Sequence, residues 1–202
     1  MEFLVSKEFI TGGGYLLIFV MVFAETGLLL GAFLPGDTLL FTAGLLAAVG
    51  YLNIAILIFV CFLGTVLGDN LGYVLGKRYG HKVFKKEDSL LFDVDHINKA
   101  ERFYKAHGGK TVIFGRFIPF VRTAAPILAG VGKMNYRTFL IYNLFGAILW
   151  SVSFCMLGYV SGVLIPNAED YVGLIISAVV GGSIFVAAIT ILTHYLKSKK
   201  SA

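Results

Sequence analysis

Apolar residues in this chain come in long runs rather than in the alternation of a half-buried sheet. Tyr15 to Leu34, Tyr51 to Gly76, Tyr136 to Leu164 and Tyr171 to Tyr195 are each long enough, at about 1.5 Å per helical residue, to reach across a bilayer. Two stretches break the pattern: Gly31 to Gly44 reads GAFLPGDTLLFTAG, and Gly115 to Met134 reads GRFIPFVRTAAPILAGVGKM. Each places proline and charge where a plain span would carry neither. Pro119 and Pro126 are expected to break the helix that Val112 to Ile118 begins, because proline removes a backbone donor and clashes with the preceding turn. In the earlier stretch, Pro35 and Gly36 suit a turn, and Asp37 suits the cap of a helix over Thr38 to Val49, about 12 residues and too short to cross.

The two broken stretches resemble each other. Gly, Phe and Pro recur in order between Gly31 and Gly115, Phe33 and Phe117, and Pro35 and Pro119, followed by Thr and by Ala-Gly at 43 and 129. Asn53 and Gly64 find counterparts in Asn135 and Gly146, and LGYVLG from Leu71 finds LGYVSG from Leu157. Two copies of one unit are expected. The predicted fold is an all-α integral membrane protein forming a single membrane domain over residues 1–202. The first repeat covers 15–76, with a re-entrant hairpin at about 27–48 and a span at 51–76. A cytoplasmic amphipathic connection follows at 77–110. The second repeat covers 111–164, with a hairpin at 111–132 and a span at 136–164, and a C-terminal span occupies 171–196. Met1 to Gly14 is read as an interfacial segment with a flexible triple glycine, and no cleavable signal is expected. Whether Tyr15 to Leu34 crosses fully or enters the first hairpin is left open.

Composition agrees with a membrane solvent: 57% of residues are apolar and 14% charged, against about 25% charged in a soluble domain. The net charge of +5 is concentrated between Lys77 and Lys110 and again at Lys197 to Lys200. These clusters mark cytoplasmic loops facing anionic lipid, not nucleic acid. They leave the short 165–170 loop outside and give the repeats opposite orientations, with the C-terminus in the cytoplasm and the side of the N-terminus unassigned. Cys61 and Cys155, inside apolar runs, read as buried thiols. His81, His96 and His107 lack metal-ligand spacing, and no metal or other cofactor is expected.

The chemistry lies in four charges on the broken stretches: Glu25, Asp37, Arg116 and Arg122. Each arginine would cost about 2.5 to 3.5 kcal/mol at the centre of a lipid-facing helix, so inward orientation and pairing are expected. Convergence of all four at a shared cavity would cancel the charge. Arginine's planar fork suits phosphate, and carboxylates that trade arginine for protons supply coupling. Substrate binding is therefore assigned to Arg116, Arg122, Glu25 and Asp37, proton coupling to Glu25 and Asp37, and structural or hinge roles to Pro35, Gly36, Pro119, Pro126 and Asp69. Asp69, beside glycines 64, 68, 72 and 76, either joins a polar network or lies near the interface with Asn70. The glycines, four apart, share a face where a second backbone can approach closely.

Glu25, the F-LPGD run from Phe33 to Asp37, Gly68, Asp69 and Tyr73, the RF-P--R run from Arg116 to Arg122, and the AG---M run from Ala129 to Met134 together resemble the DedA family, also called VTT-domain or SNARE-associated membrane proteins. The resemblance covers roughly Tyr15 to Gly162. It implies opposed re-entrant hairpins, the bacterial plasma membrane and lipid translocation. Bacterial members are linked to undecaprenyl phosphate recycling or phosphatidylethanolamine movement, and eukaryotic relatives to phospholipid scrambling. It also implies functional weight on Glu25, Asp37, Arg116 and Arg122. Phe120 departs from an expected glycine and bears on headgroup choice.

The expected function is a translocase for phosphate-bearing lipids, foremost undecaprenyl phosphate, with a phospholipid or polyprenyl phosphate as partner. Coupling to protons or sodium and a homo-oligomer are left open. The alternatives are a proton- or sodium-coupled transporter of a small solute or cation, and a phosphatidylethanolamine translocase. An enzyme is not expected, because no histidine or paired aspartates accompany the arginines.

Overall fold

The computed structural model describes residues 7–27, 36–83, 112–113 and 115–165. Five helices lie within these residues, and no strand occurs among them: α1 (Lys7–Gly27), α2 (Gly36–Ala48), α3 (Ile54–Val83), α4 (Pro119–Val131) and α5 (Tyr136–Leu164). A 3₁₀ turn at Gly115–Phe117 precedes α4. Two of the helices are long and apolar enough to cross a membrane, within Ile54–Tyr79 and Tyr136–Leu164. Pro35, the C-terminal span at 171–196 and nearly all of the connection after Val83 fall outside the described residues.

Three expectations change. The triple glycine Gly12 to Gly14 is not a flexible entry but lies inside α1; glycine costs a helix only about 1 kcal/mol per residue, which tertiary context routinely outweighs. α3 runs on past Gly76 to Val83, because Lys77 and Arg78 are good helix formers and extend the rod beyond its apolar part. Pro126 does not break its helix and sits within α4. It only deprives the Arg122 carbonyl of the usual helical donor, a local loss of about 3 kcal/mol. Pro119 instead occupies the first position of α4, after an extended Ile118 (φ −112°, ψ 111°). Its missing N–H costs nothing there.

The short–long order recurs. α2 and α4 each have 13 residues, and α3 and α5 have 30 and 29. Both long helices start on an asparagine cap. Asn53 Oδ1 accepts from the Ala55 and Ile56 amides, and Asn135 Oδ1 accepts from the Arg137 and Thr138 amides. Such caps satisfy donors left over in the first turn.

The chain divides into two compact units, one of Met1–Met21, Phe33–Val60 and Val152–Ala202, the other of Val22–Ala32 and Cys61–Ser151. In the first, α2 packs on the C-terminal half of α5. Gly44 lies against the Cys155 carbonyl, and Gly158 against the Phe41 carbonyl. In the second, α4 packs on α3 through Gly76 against the Ile127 carbonyl and Gly130 against the Tyr73 carbonyl. Small residues let backbones touch where lipid supplies no hydrophobic drive between helices. The second unit also holds Tyr73 stacked on Phe139, with ring centroids 4.6 Å apart, and the Tyr73 hydroxyl donating to the Met134 carbonyl at 2.6 Å.

Large apolar side chains point outward. Ile141, Phe145, Ile148 and Val152 are exposed on α5, as are Phe59 and Val74 on α3. Water would penalise these faces, and hydrocarbon would not.

Candidate functional site: buried arginine pairs at a helix break

Two buried ion pairs, Arg116 with Asp69 and Arg122 with Glu25, lie in the second unit. The break before α4 creates them. The 3₁₀ turn carries Arg116, the extended Ile118 redirects the chain, and Arg122 follows in the first turn of α4, its amide bonded to the Ile118 carbonyl at 2.9 Å. Both arginine side chains are 3% exposed. That burial obliges each to find a counter-charge, since an unpaired buried cation is far more costly than a paired one.

Arg122 donates through Nη2 to Glu25 Oε1, near the end of α1. Its guanidinium also lies over the ring of Trp150 from α5, 4.7 Å from the centroid. A carboxylate and an aromatic face thus hold one guanidinium, an arrangement that fixes its plane as well as its charge.

Arg116 makes a different set. Its Nη2 donates to Asp69 Oδ2 on α3 and to Asn143 Oδ1 on α5. Gly146 makes room, because a methyl there would stand 2.7 Å from Arg116 Nε. Asp69 and Asn143 are both fully buried. Arg116 Nε, Arg116 Nη1 and Asp69 Oδ1 are buried without a hydrogen-bond partner.

The structure therefore brings together Glu25 with Arg122, and Asp69 with Arg116. Of the two readings of Asp69, the buried network is the observed one. Asn70 points its amide to the Val66 carbonyl at 2.7 Å and accepts from the Tyr136 hydroxyl at 2.8 Å. Asp37 and Gly36 belong to the other unit, at the start of α2. Asn143 and Trp150 had not been singled out as site residues. An amide in the third turn of a 29-residue apolar helix is the signal that would have found the first. Nothing in the sequence marks the sole tryptophan as an arginine's neighbour. Cys61 and Cys155 are both buried, and neither forms a disulfide.

Apolar outer faces, two helices of spanning length and arginine–carboxylate pairs at a helix break define a helical membrane protein with buried charges. More particularly, the chain belongs to the VTT-domain, or DedA, family: residues 34–160 match the VTT domain model. It is 40% identical to Protein DedA of Escherichia coli K12 over 190 residues, 93% of this chain and 86% of that protein. An uncharacterised membrane protein of Mycobacterium leprae is 37% identical over 91% of this chain and 82% of its own length. The inner membrane protein YqjA of Escherichia coli K12 is 33% identical over 73% of this chain and 67% of its own length. No solved structure matches the chain.

Proposed function

We propose that this protein moves phosphate-bearing lipids between leaflets of the bacterial plasma membrane, with undecaprenyl phosphate the foremost substrate. The observation that carries the reading is the pair of arginines buried at one helix break and neutralised by carboxylates. A guanidinium inside an apolar protein is a poor structural element, since a well-packed hydrophobic residue usually serves stability as well or better. It is a good receptor for an oxyanion, which it binds through paired, charge-assisted hydrogen bonds.

In this mechanism the phosphate headgroup displaces Glu25 from Arg122 while the lipid tail stays in hydrocarbon. The displaced Glu25 takes a proton, because a lone carboxylate in that setting is more costly than a neutral acid. Trp150 keeps the Arg122 guanidinium oriented during the exchange. Asp37, in the first turn of α2, is a second proton-coupling candidate. The matched helix lengths and asparagine caps support two repeats, and the basic clusters support their opposite orientation, multi-pass insertion and a cytoplasmic C-terminus.

Purified protein in liposomes tests this. Leaflet exchange of a fluorescent polyprenyl phosphate should exceed that of empty vesicles and respond to a pH gradient. Arg116→Ala or Arg122→Ala should abolish it, with lysine restoring only part. Flux of a small solute without any lipid exchange would overturn the proposal.

A further inference from the structure

The carboxylate that faces Arg122 is carried there by a helix crossing, and the crossing depends on a missing side chain. A methyl on Gly68 of α3 would stand 2.1 Å from Thr26 Oγ1, 2.7 Å from the Phe23 carbonyl oxygen and 3.0 Å from the Gly27 amide nitrogen. All three atoms belong to the last two turns of α1, and they bracket Glu25. Gly27 is nearly as tight from the other side, where a methyl would stand 3.1 Å from the Gly68 Cα and 3.1 Å from its carbonyl oxygen. Two of the atoms that crowd position 68 are backbone, so a rotamer change cannot clear them and α1 itself would have to move. Glu25 and Thr26 are buried there. The Thr26 hydroxyl is bonded within its own helix, to the Val22 carbonyl at 3.0 Å.

The same position of the other long helix is filled instead. Gly68 and Trp150 both lie fifteen residues past the asparagine that caps their helix, Asn53 and Asn135. The packing keeps this register, since Gly76 and Gly158, each twenty-three residues past its cap, meet the Ile127 and Phe41 carbonyls. At this level α5 presents an aromatic face to Arg122, and α3 presents bare backbone to the segment that bears Glu25. One position therefore serves both members of one ion pair, by bulk on the base and by absence on the acid.

The chemistry makes the seat of Glu25 matter. Each edge of a guanidinium that offers two parallel N–H donors includes Nη2, and Nη2 of Arg122 is the nitrogen that Glu25 holds. An oxyanion that binds through paired hydrogen bonds must first displace this carboxylate. Its placement then sets how strongly it competes for Arg122 and how readily it returns to expel the headgroup.

We propose that Gly68 is a positioning residue for partner exchange at Arg122: its open face seats the end of α1 so that Glu25 competes with the lipid phosphate for the guanidinium. The inference rests on the phosphate-lipid reading above and deepens it. A methyl at position 68 pushes Glu25 off Arg122, which leaves the phosphate with a weaker competitor and the headgroup without its release step.

Two measurements on the whole purified protein test this, the affinity for farnesyl phosphate read from Trp150 emission and the rate of leaflet exchange in liposomes. Gly68→Ala should bind at least about fivefold tighter and exchange at least about tenfold more slowly, a loss within the reach of a displacement on the order of 1 Å. In a Glu25→Gln background, where the competing charge is gone, Gly68→Ala should change affinity by less than about twofold, because coupled positions are not additive. Gly68→Ala that binds more weakly or unchanged overturns the inference, as does an equal gain in the Glu25→Gln background; damage to the fold alone would weaken binding in both. Gly27→Ala crowds the same crossing less and should shift both quantities in the same directions by smaller factors. If Gly68→Ala does not fold, Gly27→Ala decides alone by the same signs. Absence of farnesyl phosphate binding by wild type would instead defeat the phosphate-lipid reading itself.

Discussion

Arg122 is clamped by two unlike neighbours, the Glu25 carboxylate and the Trp150 ring, and each makes a separable prediction. Trp150→Leu removes the aromatic face and keeps the charge pair. It should lower stability by about 0.5 to 2 kcal/mol through the lost cation–π contact alone, and slow lipid exchange more than Trp150→Phe does. Thermal melting in detergent and leaflet exchange in vesicles check the two effects. Gly146 is the corresponding sensitive point for Arg116: Gly146→Ala sets a methyl 2.7 Å from Nε and 3.0 Å from Cδ. Displacing the guanidinium from Asp69 and Asn143 should cost about 1 to 3 kcal/mol and bring exchange close to that of Arg116→Ala. Glu25, Arg116 and Arg122 were legible as buried charges, because ions in apolar runs must be compensated. Their pairing was not legible. Several pairings of two bases with the available acids neutralise equally well, and only the fold selects Asp69 for Arg116.

At the scale of elements, the short helices are where stability and function pull apart. Pro126 inside α4 leaves the helix one hydrogen bond short beside Arg122. Pro126→Ala should therefore raise thermal stability by about 1 to 3 kcal/mol while lowering the exchange rate, if a weakened first turn is what lets Arg122 change partners. An increase in both quantities would show the proline to be incidental. The close contact of α3 with α4 makes the opposite demand. Gly76→Ala drives a methyl into the Ile127 carbonyl, and neither backbone can yield cheaply, so a loss of about 1 to 3 kcal/mol in melting experiments is expected. The glycine spacing announced this contact face, and the apolar run from Tyr136 to Leu164 matched α5 at both ends. The extent of α1 and α3 was less legible, since glycine and lysine at a boundary permit helix and loop almost equally and neighbouring packing decides.

For the whole molecule, the exposed apolar surfaces of α3 and α5 and the 14% charged composition place the chain in a bilayer, and the family membership agrees. The central claim is that the buried guanidiniums trade protein carboxylates for a lipid phosphate. The chain has one tryptophan, and it lies against Arg122, so its fluorescence reports directly on that exchange. Titration of the purified protein with farnesyl phosphate is expected to give a saturable change in Trp150 emission, absent with farnesol and absent in Arg122→Gln. An equal response to farnesol, or an undiminished response in Arg122→Gln, would contradict the claim.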